Sequence, residues 1–169
     1  LEYVTLQDHM DSERRNPSEV TNFLRAIQQN TNIHTVRLID VRVSGTSIAS
    51  FLDNATSLTT FVLKRYDMEA SDREQGARQL SAALQRNTNI RTLSLVLLDE
   101  IYVLPIVQSL VSNTSVKEWE LRLCARSLSL ATSDAVRLLL ETTSTIEGFG
   151  LSLWSCNEDI FRPIAQGLI

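Results

Sequence analysis

Apolar residues recur along this chain in an arrangement that returns every 25 to 32 residues. Each copy begins with an apolar residue, which we call its anchor. A second apolar residue and a leucine stand three and five positions after it. A period of this length is typical of a repeat protein. The anchors are Leu1, Ile33, Leu58, Ile90, Val116 and Ile146, and the leucines are Leu6, Leu38, Leu63, Leu95, Leu121 and Leu151.

The third and fifth positions after each anchor predict a short β-strand. Residues two apart in a strand point to the same face, so these two apolar columns share one side of a sheet. The residues between them then point to the other side. The third column contains Val4, Val36, Phe61, Leu93, Trp119 and Phe149, and we expect all of them, Trp119 included, to fill a core.

The segment before each anchor predicts a helix, because apolar residues four apart share one helical face. Pro17 stands where a first helical turn tolerates proline. Asn30, Asn87 and Asn113 fall where three helices should end, and we expect a left-handed backbone there. The two helical columns are Phe23, Ile48, Leu80, Ile106 and Val136, then Ile27, Leu52, Leu84, Leu110 and Leu140.

The stretch from Gly76 to Leu95, GARQLSAALQRNTNIRTLSL, closely resembles the ribonuclease-inhibitor-like class of leucine-rich repeats, and the resemblance covers essentially the whole chain. It implies an α/β leucine-rich repeat solenoid, a horseshoe or arc of about six repeats, with parallel strands on the concave face and helices on the convex face. It also implies an intracellular, cytoplasmic protein that binds its partner along the concave face.

The chain departs from this class in the column eight positions after the anchor, where the class prefers asparagine or cysteine. Only Cys124 conforms, and we therefore expect a flatter or less regular arc. The other members of the column are His9, Val41, Tyr66, Leu98 and Trp154.

Residues 1–169 are expected to form a single leucine-rich repeat domain. Ile164 and Leu168 match the two helical columns of an anchor that would stand beyond residue 169. Neither end carries the polar cap that an open stack of repeats needs. We therefore expect the domain to be a fragment of a longer array, with self-association through its uncapped ends as a further expectation.

The charge balance disfavours two classes of partner. The chain has 16 Lys and Arg against 20 Asp and Glu, so its net charge of −4 gives no reason to bind nucleic acid or an anionic membrane. The two cysteines, Cys124 and Cys156, are too few for a disulfide scaffold and lack the spacing of a zinc site. This cysteine usage favours a reducing, intracellular compartment.

The sequence contains no motif that would bring reactive groups together, as an enzyme requires. Its two histidines, His9 and His34, stand in different repeats and away from the cysteines. Phosphate loops, dinucleotide fingerprints and hydrolase signatures are also missing. We expect no enzymatic activity, no cofactor and no metal.

The candidate binding surface consists of strand residues that point away from the core, four and six positions after each anchor. Its first half is basic and its second half is mixed, which favours a polar interface with electrostatic steering. A solvated face without a partner is the alternative. The candidate partner-binding residues are Arg37, Ile39, Lys64, Arg65, Glu118, Glu120 and Arg122.

The fold predicts function only by analogy. The first hypothesis is a protein-protein interaction module, or scaffold, that binds a macromolecular partner, another protein, through the concave strand face. The second is a GTPase-activating or other regulatory leucine-rich repeat protein that acts through loops at the strand ends. The third is an architectural spacer segment of a larger signalling protein.

Overall fold

The computed structural model describes residues 2–7, 16–66, 73–97, 100–123, 129–153 and 158–167. Within these residues, six strands alternate with six helices. The strands are β1 (Tyr3–Gln7), β2 (Thr35–Ile39), β3 (Thr60–Tyr66), β4 (Thr92–Leu97), β5 (Glu118–Leu123) and β6 (Gly148–Leu153). The helices are α1 (Pro17–Ile27), α2 (Gly45–Asn54), α3 (Arg73–Arg86), α4 (Val103–Val111), α5 (Leu130–Thr142) and α6 (Glu158–Gln166). A 3-10 turn, Glu100–Tyr102, precedes α4.

The strands form one parallel sheet in the order of the chain, from β1 to β6. Every neighbouring pair places the leucines of the fifth column side by side, from Leu6 beside Leu38 to Leu121 beside Leu151. The columns of the repeat are therefore rows across the sheet. A β-bulge at Arg65 interrupts the pairing of β3 with β4.

The apolar columns form the core between the sheet and the helices, as predicted. In β2 to β5, the third and fifth columns are at most 1% exposed. Trp119 belongs to this set, and its ring lies 4.9 Å from that of Phe149 between centroids. Burying one such side chain contributes roughly 1.5–3 kcal/mol, so these columns are the main source of stability.

The same columns are less buried in the outermost described strands. Val4 and Leu6 on β1 are half-buried, as are Phe149 and Leu151 on β6. Full burial is reached where described repeats flank a column on both sides. This gradient is expected for a solenoid, in which each repeat contacts its neighbours.

The difference in spacing between strands and helices gives the stack its curvature. Neighbouring strands lie about 4.8 Å apart, whereas packed helices need about 8–10 Å. A stack with strands on one side and helices on the other is wider on the helical side. The chain is therefore a leucine-rich-repeat-like solenoid with a concave sheet and convex helices, which confirms the predicted fold class.

Polar side chains fix the starts of several helices. Asn16 accepts a hydrogen bond from the Ser18 amide at 3.1 Å, and Pro17 begins α1 as predicted. Ser129 caps α5. Its amide also donates to Glu100 Oε1, which links the turn before α4 to the first turn of α5.

The asparagines at the helix ends have a different role from the predicted one. Among the described residues other than glycine, only Asp40 has a positive φ, 57°, so the prediction of a left-handed backbone at Asn30, Asn87 and Asn113 was wrong. Asn87 and Asn113 are buried instead, at 8% and 4% exposure. Their side chains are needed for hydrogen bonds rather than for a backbone conformation.

Asn113 ties its own turn to the preceding repeat. Its Nδ2 donates to the carbonyl oxygens of Leu84 at 2.7 Å and Asn87 at 2.9 Å. Its Oδ1 accepts from the amides of Ser115 at 2.8 Å and Val116 at 2.9 Å. One side chain thus satisfies backbone groups on both sides of the junction between two repeats.

A second set of hydrogen bonds runs along the same turns. In three repeats, the hydroxyl one position before the anchor donates to the asparagine carbonyl of the preceding repeat, from Ser57 to Asn30, from Ser115 to Asn87 and from Thr145 to Asn113. The helix-to-strand turn therefore carries a hydrogen-bonded ladder.

The column eight positions after the anchor, where the class has its own ladder, is mostly outside the described residues. Val41 is described and buried at 1% exposure. Tyr66 ends β3, but its side chain is not described. The remaining members, His9, Leu98, Cys124 and Trp154, lie outside the described residues.

Candidate binding face

Three rows of residues make up the sheet face that points away from the helices, which we call the strand face. They lie two, four and six positions after each anchor, alternating with the buried columns. The second row is Tyr3, Thr35, Thr60, Thr92, Glu118 and Gly148; the fourth is Thr5, Arg37, Val62, Ser94, Glu120 and Gly150; the sixth is Gln7, Ile39, Lys64, Val96, Arg122 and Ser152.

The second row is absent from the predicted contacts, except for Glu118. Its threonines, Thr35, Thr60 and Thr92, stand side by side on β2, β3 and β4. The strand alternation that identifies the other two rows also identifies this one, so the second row could have been predicted from the sequence. The strand face is consequently one row wider than predicted.

The basic part of the strand face lies on β2 and β3. Arg37 is exposed, and Lys64 is half-buried beside Ile39 in the sixth row. Neither cation has an ion-pair partner within the described part of the chain. Arg65 occupies the bulge after Lys64, out of register with β4, and its side chain is not described.

The acidic part of the strand face lies on β5, where hydroxyl groups of β4 hold two carboxylates. Thr92 Oγ1 donates to Glu118 Oε2 at 3.2 Å, and Ser94 Oγ donates to Glu120 Oε2 at 2.6 Å. The guanidinium of Arg122 lies 3.6 Å from Glu120 Oε1. The structure thus brings Glu118, Glu120 and Arg122 together, and it places Arg37 and Lys64 apart from them.

A strip of short, nearly buried side chains separates these two parts. Val62, Ser94 and Val96 are 6–7% exposed, although their positions point away from the core. Each of them stands beside a longer side chain on a neighbouring strand: Val62 beside Arg37, Ser94 beside Glu120, and Val96 beside Lys64 and Arg122. The fourth row therefore passes from basic through neutral to acidic between β2 and β5, whereas the sixth row carries a cation on β3, Lys64, and another on β5, Arg122.

Beyond β5, the strand face has almost no side chains. Gly148 and Gly150 continue the second and fourth rows on β6, and Ser152 ends the sixth row. Both glycines lie directly beside a glutamate, Gly148 beside Glu118 and Gly150 beside Glu120. The acidic part is therefore bordered by a strip of bare backbone.

Other candidate chemistry is sparse in the described residues. His34 is exposed, with its Nδ1 2.9 Å from the carbonyl oxygen of Ser57, whereas His9, Cys124 and Cys156 lie outside the described residues. Among described residues, no three His, Cys, Asp or Glu side chains group as metal ligands would. None of the described helices combines the length and apolar character needed to cross a membrane.

The helical side carries grooves between neighbouring helices. The one between α2 and α3, of about 340 Å³, is lined by Asp53 and Arg86 among others. Arg86 donates to both oxygens of Asp53, at 2.8 and 3.0 Å. This ion pair joins adjacent repeats on the convex side.

No family model matches the sequence, and no curated protein matches it. Among solved structures, the chain is similar to actin-binding site 2 of leiomodin-1, with a TM-score of 0.59 and 14% sequence identity. The match covers 90% of this chain and 91% of that one. At this low identity, the similarity shows only that the two folds are alike. Because the match covers most of both chains, it applies to the solenoid as a whole.

Proposed function

We propose that this chain is a protein-protein interaction module whose strand face binds another protein. The observation that carries the proposal is the separation of charge across that face. Arg37 and Lys64 lie on β2 and β3. Glu118 and Glu120 lie on β5 with Arg122, which leaves that part with a net negative charge, and short side chains lie between the two parts. A partner with the opposite order of charges would be attracted and oriented by this pattern.

The dimensions of the strand face also suit a macromolecule. Six strands about 4.8 Å apart span roughly 24 Å, which exceeds the size of an ordinary small ligand. The alternation of sign disfavours a phosphate backbone, which would gain from Arg37 and Lys64 and be repelled by Glu118 and Glu120. A folded protein with patches of both signs fits better.

The likeness to actin-binding site 2 of leiomodin-1 supports a protein-binding role for this fold. It also makes actin the first partner to try. Because 14% identity carries the fold alone, actin serves as one arm of the test below.

Several expectations from the sequence remain part of this proposal. We propose that the repeats belong to the ribonuclease-inhibitor-like class, that the protein is cytoplasmic and that it has no enzymatic activity. The repeat pattern supports the first, and the low number of cysteines supports the second. The regulatory and spacer alternatives are favoured by no contact among the described residues.

Affinity capture with charge-reversed variants tests the proposed function. One variant combines Arg37→Glu with Lys64→Glu, and a second combines Glu118→Lys with Glu120→Lys. The control combines Glu74→Lys with Arg78→Glu on α3, which exchanges an ion pair whose side chains are 74% and 72% exposed on the convex side.

We expect the wild-type chain and the control to capture the same protein from a lysate. Each strand-face variant should lose that protein, with affinity lowered about tenfold or more. Purified actin is titrated in parallel with all four proteins. Identical capture by all four would show that the strand face is not the binding surface.

A further inference from the structure

Two glycines lie in the first half of β6, Gly148 at its first position and Gly150 at its third. β6 pairs with β5 without a break in register, so neither glycine belongs to a bulge between these strands. No glycine among the described residues has a positive φ. The two usual backbone reasons for glycine in a strand are therefore missing at both positions.

Crowding does not explain these glycines either. A Cβ at Gly148 would come no closer than 3.7 Å to Glu118 Cγ, and a Cβ at Gly150 would lie 3.7 Å from Glu120 Cγ. Both are ordinary van der Waals contacts. Gly167 shows the contrast, because a Cβ there would lie 2.9 Å from the carbonyl oxygen of Arg137.

Glycine inside a strand lowers stability, because it costs backbone entropy and leaves no side chain to pack. Where neither geometry nor crowding requires it, the remaining reason is the close approach of a ligand or another backbone. The strip of bare backbone on β6 meets this description.

The neighbouring carboxylates indicate the charge of the approaching group. Thr92 and Ser94 hold one oxygen each of Glu118 and Glu120 from the β4 side. The second oxygen of Glu118 has no hydrogen-bond partner among the described residues. Glu120 Oε1 already lies 3.6 Å from the guanidinium of Arg122. A cationic side chain placed over β6 would therefore reach the open oxygen of Glu118.

We propose that an extended segment of a protein partner lies along β6 and places an arginine or lysine side chain against Glu118, beside the ion pair of Glu120 with Arg122. The glycines admit the backbone of the segment, and the open oxygen of Glu118 pairs with its cation. This inference rests on the proposed function of the strand face and names the chemistry of the partner at its acidic part.

Solution NMR of the isotope-labelled chain tests the proposal with a capped peptide, Gly-Arg-Gly-Arg-Gly. We expect saturable amide shifts confined to β5 and β6. A matched peptide with glutamate in place of arginine should cause none. Shifts elsewhere, equal binding of the glutamate peptide, or the same β5 response to calcium chloride alone would overturn the proposal.

Two variants separate binding from folding. Gly150→Val should weaken the arginine peptide about tenfold or more while raising the midpoint of thermal unfolding, because valine favours strands. A purely structural glycine would instead lower that midpoint. The double variant Glu118→Gln with Glu120→Gln should also lose the peptide, and Ala131→Val on the exposed side of α5 is the control. Undiminished binding by both variants would refute the proposal.

The two proposals fail in different ways. If reversal of Arg37 and Lys64 abolishes protein capture while Gly150→Val and the peptide have no effect, the inference about β6 fails and the binding face stands. If the charge-reversed variants capture protein as wild type does and the β6 experiments also show no effect, the strand face itself is ruled out as the binding surface.

Discussion

Asn113 shows how much one side chain contributes at the junction of two repeats. It makes five hydrogen bonds, four of them to backbone groups, and it is almost fully buried. Asn30 occupies the same column but is exposed, and its side chain accepts one hydrogen bond, from the Asn32 amide. Identical residues in one column therefore differ in what they stabilise.

We predict that Asn113→Ala lowers the free energy of unfolding by about 3 kcal/mol, because it leaves buried backbone groups without partners. Asn30→Ala should lower it by only about 0.5 kcal/mol, since water replaces the lost contact. Denaturant unfolding measures both values. Equal losses would contradict the role of the buried ladder.

Two glycines of this chain should respond in opposite directions to a larger side chain. Gly167→Ala places a methyl group against the backbone of Arg137, and we expect it to lower the free energy of unfolding by about 1–3 kcal/mol. A Cβ at Gly150 makes only ordinary van der Waals contact, 3.7 Å from Glu120 Cγ, and Gly150→Val should raise the free energy of unfolding by about 0.5–1 kcal/mol. Urea titration gives the sign of each change, and a shared sign would contradict this account.

At the scale of the element, Glu100 links the turn before α4 to the start of α5. Burial acts to raise the pKa of this carboxyl, but hydrogen bonds from the hydroxyl and amide of Ser129 and from the Thr132 hydroxyl outweigh it. The pKa of Glu100 is consequently lower than its ordinary value. The ionised form is thus favoured by the folded chain.

This shift predicts a pH dependence. A carboxyl whose pKa is lowered by folding stabilises the protein above its unfolded pKa of about 4.3, and that contribution is lost as the pH falls through the folded value. We expect Glu100→Gln to be less stable than wild type by about 1 kcal/mol at pH 7, and the difference should shrink at about pH 3.

Unfolding curves of both proteins at the two pH values provide the measurement. Glu74→Gln, on the exposed side of α3, is the control and should show little difference from wild type at either pH. A constant penalty for Glu100→Gln across this range would show that the ionised carboxylate is not what stabilises the start of α5.

The helices and strands themselves could be predicted from the sequence because each has a period that side-chain burial imposes. The spacing of three and five after the anchor gives both the strands and their register, since Leu38 lies beside Leu63 and Leu63 beside Leu95. The hydrogen bonds of Asn113 could not be predicted, because they depend on carbonyl groups of another repeat. The wrong expectation of a left-handed backbone arose from treating each turn in isolation.

The candidate site was predictable in part. Arg37, Lys64, Glu120 and Arg122 follow from strand alternation alone, and the structure places them on the strand face. Sequence spacing does not report which residues reach one another, so the hydroxyl groups that hold the glutamates were missed. The role of Gly150 could not be predicted either, because steric crowding and the backbone angle φ are properties of the folded chain.

At the scale of the whole molecule, burial decreases from the centre of the described stack outward. The third and fifth columns are at most 1% exposed in β3 and β4, whereas Val4, Leu6, Phe149 and Leu151 are half-buried on β1 and β6. Local opening costs less free energy where less apolar surface is buried. The outer strands should therefore open without the inner ones.

Hydrogen exchange of backbone amides tests this expectation. We predict that the amides of β3 and β4 are the slowest to exchange and that those of β1 and β6 exchange about tenfold or more faster. A uniform rate across all six strands would instead indicate that the solenoid opens as one cooperative unit.

The matched register of the six strands also bears on how such a protein can change its partner over evolution. Core columns and strand-face rows are separate sets of positions, because successive side chains point to opposite sides. Equivalent positions in a strand-face row lie about 4.8 Å apart on neighbouring strands. A substitution at one of them changes the chemical group presented there without altering the packing behind it. Binding specificity can therefore change one residue at a time while the solenoid keeps its architecture.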